Sequence, residues 1–215
     1  MTRDYYKVLY VGRAGNGKTY SFRNMNPDTT GFVNVENKPL PFKNNFKYHA
    51  RPSTVSEIKI ALSEYAKNPD INAIVIDSFS AFADALLSEC RATKKGFDIW
   101  STYADEIGKF LNFIKKIEKE VFITAHYEWL QGEEGVKEKR IKVKGKEWEG
   151  LVEKEFTIVL YSDITVDDKG KPHYYFDLFQ ENSSTKCPPD IFGANVLVID
   201  NDSNYVLNKI LDFVK

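Results

Sequence analysis

Cysteine is scarce: Cys90 and Cys187 are the only two in 215 residues, far apart and without C-x-x-C spacing. That excludes a disulfide framework and a cysteine-built zinc site, and makes a reducing cytosol the expected compartment. An excess of one charge is lacking too. Thirty Lys and Arg stand against 31 Asp and Glu, a formal net charge of -1, so no global field draws the chain towards a polyanion. No apolar run approaches the ~20 residues of a membrane span. The opening MTRDYYKVLYVG has no signal-peptide core. No repeat or low-complexity segment appears, and the prolines are too scattered to mark a linker. With 42% apolar and 28% charged residues, the expectation is an ordinary globular domain over 1–215, free of membrane contacts.

Within that frame, short buried strands alternate with amphipathic helices. YKVLYV (6–11), GFVNVEN (31–37), INAIVIDS (71–78) and VFITAH (121–126) are continuous apolar runs, as expected of strands buried on both faces. Val55, Ile58, Leu62 and Tyr65 mark a helix capped by Ser53 or Thr54. Phe79, Phe82, Ala83, Leu86, Leu87 and Cys90 mark a second, and Tyr103, Ile107, Phe110, Leu111, Ile114 and Ile117 a third. FTIVLYS, YYFDLF and ANVLVID predict three late strands, and NYVLNKILDFVK a closing helix. The expected fold is α/β with a central, mostly parallel sheet flanked by helices.

Glycine clusters at one place. Residues 12–19, GRAGNGKT, match the phosphate-loop pattern G-x-x-x-x-G-K-[ST]. In such a loop Gly12, Arg13, Ala14, Gly15, Asn16 and Gly17 turn backbone N–H groups onto phosphate oxygens. Lys18 reaches the β- and γ-phosphates, Thr19 offers a hydroxyl to Mg²⁺, and a helix opening at Lys18 adds its dipole. Tyr20 follows as an aromatic near the base. The ligands implied are ATP and Mg²⁺. The bland alternative is an ordinary glycine-rich turn. A second acidic group is needed for the metal, and Asp77, after four apolar residues, is the candidate. Its alternative role is a helix N-cap.

The order GRAGNGKT, FVNVEN, AIVIDS, ITAH, GKEWEGLVEKEFTIVLYSD and STKCPPDIFG resembles the RecA-like P-loop ATPases, and most closely the small phage-encoded recombinases associated with single-strand annealing. The resemblance implies a carboxylate at Glu36 that activates water, with Glu128 a weaker alternative. It implies a γ-phosphate sensor at His126, and a cation at Lys186 offered to a neighbouring subunit's ATP, hence a homo-oligomer. It further implies single-stranded DNA as partner, with a single-strand-binding protein beside it, in the host cytoplasm. Two segments are candidates for the DNA: RATKKGFDIW (91–100), and the stretch after His126. The latter, a basic insertion at about 128–149, carries Lys137, Lys139, Arg140, Lys142, Lys144 and Lys146 between Trp129 and Trp148. Interspersed Glu133, Glu134, Glu138, Glu147 and Glu149 leave open a merely solvated hairpin with Trp148 packed inward.

Three other readings share the loop. A nucleotide or small-molecule kinase would add a lid with several arginines, which this chain lacks. A non-hydrolysing, ATP-controlled DNA-binding or loader module would not need Glu36. An AAA-type unfoldase or helicase loader would carry an acid directly after Asp77, where Ser78 stands.

Overall fold

The first strand shows how the layers are made. All five residues of β1 (Lys7–Val11) are buried, and they alternate between two cores. Leu9 and Val11 face one core, Val8 and Tyr10 the other, as the two-residue period of a strand requires. The computed structural model describes residues 3–131 and 135–215. Glu133 and Glu134 lie outside the described residues.

The main sheet contains β2 (Thr30–Asn34), β3 (Tyr48–Ala50), β4 (Ala73–Asp77), β5 (Glu120–Ala125), β8 (Ile158–Val166), β9 (Pro172–Asp177) and β10 (Val198–Asp200) besides β1. Its order is β10-β9-β8-β1-β5-β4-β2-β3. From β8 to β3 all pairings are parallel, and β9 and β10 add antiparallel at one edge. The expected mostly parallel α/β sheet is therefore the observed one. Because β5 lies between β1 and β4, the carboxyl ends of three parallel strands meet at one edge, where open α/β sheets form their ligand crevices.

Helices α1 (Val55–Lys67), α2 (Phe79–Thr93) and α3 (Phe97–Lys115) cover the Leu9 face. Their buried positions are those of the apolar periodicity. Thr54 caps α1 by accepting from Glu57 N, and Ser78 caps α2 by accepting from Ala81 N at 3.2 Å. Phe82 and Phe110 stack at 3.7 Å between α2 and α3. The opposite face is closed by α4 (Pro189–Phe192) and α5 (Ser203–Phe213), through Ile191, Phe192, Val206 and Ile210.

One local expectation is corrected, and one element is new. No α-helix opens at Lys18. Thr19–Asn24 is a six-residue 3-10 turn, ended by a run of poor helix formers, Asn24, Asn26 and Pro27. It brings no macrodipole of consequence to the loop. The short strand β3 went unforeseen, since three half-buried residues carry no readable period.

The stretch after His126 forms an antiparallel ribbon of β6 (Tyr127–Gln131) and β7 (Lys137–Ile141). Trp148 packs inward, its Nε1 donating to Ala104 O at 2.8 Å. Its alternative use as an exposed stacking platform is thereby corrected, because the half-buried ring packs on the core and its one donor is engaged.

Candidate functional site

Strand β1 runs directly into the glycine loop, and Gly12 passes so close to β8 that a Cβ there would lie 2.7 Å from Ser162 O. Gly17 has φ +84°, and a Cβ would meet the Tyr174 ring at 2.7 Å. Only glycine satisfies both the dihedral and the space. The Lys18 ammonium folds back over the loop and donates to Gly12 O and Arg13 O, each at 2.8 Å. Burial pulls its pKa down to about 8, against the attraction of Asp77 and Glu36.

Asp77 ends β4 and is buried, which raises its pKa. Hydrogen bonds from Thr124 and Thr19 oppose that rise. Thr19 Oγ1 donates to Asp77 Oδ2 at 2.9 Å, and Thr124 Oγ1 takes Oδ1. Hydroxyl and carboxylate oxygens so placed are hard donors that can hold a Mg²⁺ together with substrate phosphates. Magnesium usually takes one or two carboxylates, not a full protein cage. No cluster of three or more His, Cys, Asp or Glu able to hold a metal occurs among the described residues.

Glu36 lies two residues past β2. Its backbone N–H, like that of Val35, donates to Asp77 O, which ties it to the end of β4. One carboxylate oxygen accepts from Ser78 Oγ at 3.1 Å and the other from Lys38 Nζ at 2.7 Å. His126 Nε2 stands 3.8 Å from Oε1. His126, Lys38 and Ser78 hold the Glu36 pKa down, to about 2, against burial. His126 is beyond hydrogen-bond range, so the shortest contact, from Lys38, anchors that direction. His126 Nδ1 faces Lys18 Nζ at 3.4 Å. An ammonium can only donate, so Nδ1 is the acceptor there and Nε2 carries the proton towards Glu36. Ser80 Oγ accepts from His126 N at 2.9 Å and fixes the end of β5.

These groups line one cleft of about 500 Å³. Ala14, Gly15, Gly17, Lys18, Thr19 and Tyr20 form its floor. Asn34, Glu36, Asp77 and His126 form one wall, and Lys38–Pro41 with Tyr174 the rim. The candidates Lys18, Thr19, Tyr20, Glu36, Asp77 and His126 thus converge from four segments. Others do not line the cleft. Asn16 is drawn aside to Ser162 O and Asp163 Oδ1 at 3.2 and 3.0 Å, and the Arg13 guanidinium lies over the Tyr127 ring. Lys186 pairs through its backbone with Val159, and its Nζ lies 3.5 Å from Lys154 O. Glu128 belongs to β6, opposite Arg140.

The basic candidates also divide. Lys137, Lys142, Lys144 and Lys146 are exposed. Lys139 donates to Gln180 Oε1 at 2.8 Å and lies over the rings of Tyr127, Trp129 and Tyr161, while Arg140 is held by Glu138 at 2.6 Å. These two side chains are half-buried and already engaged, which is the correction the structure makes to their reading as free phosphate ligands.

Sequence reasoning missed Thr124, Ser80, Lys38 and Tyr174. Lys38, two residues from Glu36 across a turn in which Asn37 has φ +55°, could have been found from that spacing. Tyr174 reaches the loop only through the antiparallel pairing of β9 with β8.

A phosphate loop at the end of β1, facing a buried aspartate across an interposed strand, defines a P-loop nucleotide-binding domain. A family model described as an AAA domain matches residues 4–186. The chain belongs to that family, which makes it a nucleotide-binding domain of the ATPase kind. No curated protein matches the chain. The reading of Ser78, where an acid would stand after Asp77, as evidence against an AAA-type domain is corrected by this match. In space the acid is present, because Glu36 sits 3.1 Å from the Ser78 hydroxyl. No helix among the described residues is long and apolar enough to cross a membrane.

Proposed function

We propose that the chain is a Mg²⁺-dependent ATPase that binds single-stranded DNA and acts in phage DNA recombination or replication. The observation that carries the catalytic part is the convergence of Lys18, Thr19, Asp77, Glu36 and His126 on one cleft. In this reading the loop amides and Lys18 hold the phosphates. Thr19 and Asp77 hold Mg²⁺, which when bound neutralises charge on the β- and γ-phosphate oxygens. Glu36 orients the attacking water and accepts its proton. His126, standing between Lys18 and Glu36, senses whether the terminal phosphate is present. Tyr20 and Tyr174, 5.5 Å apart, give the base an aromatic side.

The DNA part is supported by the exposed Lys142, Lys144 and Lys146 and by the exposed Phe97 and Trp100 at the start of α3. Trp100 borders a groove of about 450 Å³ with Lys144 and Lys146, whose far side is closed by the inward-packed Trp148. Cations beside aromatic faces suit a single strand with unstacked bases. Lys186 lies outside its own chain's cleft, so a role at ATP assigns it to a neighbouring subunit in a homo-oligomer. The phage setting, and a single-strand-binding protein as further partner, rest on the motif order.

A second reading has one observation in its favour. Both oxygens of Glu36 are engaged, as would suit a non-hydrolysing, ATP-controlled DNA-binding or loader module. ATP hydrolysis with Mg²⁺, with and without single-stranded DNA and across protein concentration, separates the readings. Stimulation by DNA that rises more than linearly with protein supports the DNA-coupled oligomer. Nucleotide-dependent DNA binding without turnover supports the loader module. Turnover only with a small-molecule phosphate acceptor points to a kinase.

A further inference from the structure

The side chain that caps Glu36 is the second ammonium group of the cleft. Lys18 and Lys38 are the two lysines among the described residues that line it. Lys18 is engaged by the carbonyls of Gly12 and Arg13. Lys38 is engaged by Glu36 at 2.7 Å. The two ends of Lys38 differ sharply. Its backbone is pinned: buried Asn34 donates to Lys38 O at 2.8 Å, and Asn37 next to it donates to Pro52 O and accepts from Arg51. Its side chain is 74% exposed, on a four-carbon stem, against 22% for that of Glu36. An ion pair so exposed contributes little to stability, so a stronger anion entering the same cleft can take the ammonium from it.

A terminal phosphate in the cleft is such an anion, offering several charged oxygens where Glu36 offers one. We propose that Lys38 is a γ-phosphate ligand and catalytic residue supplied in cis, which leaves Glu36 when a nucleoside triphosphate binds. The inference rests on the reading of Glu36 as the water-activating carboxylate. One movement then has two consequences. Glu36 Oε2 loses its partner and becomes free to accept from water, while Oε1 stays held by Ser78. The ammonium comes to rest where negative charge develops on the transferred phosphoryl group, and a cation fixed there stabilises the transition state more than the ground state. A diphosphate leaves the latch closed. The engaged carboxylate is thus the resting state of a hydrolase.

The test measures affinity first, so that it does not depend on turnover. Affinities for ADP and for a non-hydrolysable ATP analogue, both with Mg²⁺, are compared by calorimetry in wild type, K18A, K38M, E36Q and the K38M/E36Q double variant. The wild type should prefer the triphosphate. K38M should weaken triphosphate binding about tenfold and leave ADP within about twofold. E36Q, which removes the competitor for Lys38, should tighten triphosphate binding, and the double variant should lose that gain. In turnover, K38M should lower kcat at least about tenfold and raise KM in step with the weakened triphosphate binding, and K38R should restore part of both. K38M that keeps the wild-type preference, a wild type without preference, or K38M turning over at or above wild type overturns the inference. If wild-type binding is abolished by K18A while K38M behaves as wild type, only the role of Lys38 falls. If the wild type binds neither nucleotide, the reading of the whole cleft falls with it.

Discussion

Thr19 Oγ1 donates to Asp77 Oδ2 at 2.9 Å, although the two stand 58 positions apart in the chain. Thr124, from the strand between theirs, occupies the other carboxylate oxygen. The pair joins the last residue of the phosphate loop to the end of β4. Asp77→Asn keeps the shape and removes the charge. It should lower Mg²⁺-dependent ATP turnover by about 10²-fold or more and leave the melting temperature nearly unchanged. Steady-state hydrolysis over a Mg²⁺ series checks this, and unchanged turnover at every Mg²⁺ level counts against the metal assignment.

Glu36→Gln retains the hydrogen bond from Ser78 but cannot take a proton. Hydrolysis should fall by about 10²–10⁴-fold, with triphosphate binding at least as tight as in the wild type. Single-turnover measurement of phosphate release is the direct readout. Turnover equal to wild type would show that Glu36 is not the base.

Gly15 and Gly17 both have positive φ, +86° and +84°, but only Gly17 faces a neighbour, the Tyr174 ring. Gly15→Ala should cost about 1–2 kcal/mol from the dihedral alone. Gly17→Ala should cost more and displace Tyr174 from the rim of the cleft. Urea unfolding of the two variants side by side tests the order, and equal losses would deny Tyr174 its contact with the loop.

Lys7 is buried in β1, its ammonium donating to Ile117 O and Lys119 O at 2.8 Å. Burial lowers its pKa to about 8, against the pull of Glu120. Between about pH 8 and the unfolded value near 10.4, the unfolded chain binds more protons than the folded one. Stability therefore rises with pH across that window. Lys18, also lowered to about 8, contributes in the same sense. Lys7→Met should be less stable at pH 7, since three carbonyls, that of Tyr5 included, lose their donor, and should show a shallower rise from pH 8 to 10. Urea midpoints at four pH values suffice to see it, and an unchanged slope would mean that Lys7 keeps its ordinary pKa.

For the proposed DNA surface, replacing Lys142, Lys144 and Lys146 together by Ala should weaken single-strand binding and flatten the salt dependence by about 2 in log–log slope. Lys139→Ala, which removes a contact to Gln180 and the cation over three rings, should instead show mainly as lost stability. Anisotropy titrations from 50 to 300 mM salt distinguish the two. An unaltered slope in the triple variant would place the DNA elsewhere.

The P-loop, the buried strands and the three helices of the Leu9 face were legible because each rests on local chemistry. Glycine at Gly12 and Gly17 answers a backbone demand, and the apolar periods of α1, α2 and α3 answer a burial demand that a one-dimensional pattern records. Asp77 was legible for the same reason, as the one charge closing an apolar run. The length of the turn after Lys18 was not, because the phosphate-loop pattern implies a helix that Asn24, Asn26 and Pro27 then refuse. Nor was the meeting of Tyr174 with Gly17, nor the withdrawal of Lys139 against Gln180 and the rings of Tyr127, Trp129 and Tyr161. Those contacts depend on which strands become neighbours, with β5 between β1 and β4 and β9 folded back on β8. Strand order is chosen by the packing of the whole sheet, and no segment of the chain encodes it alone.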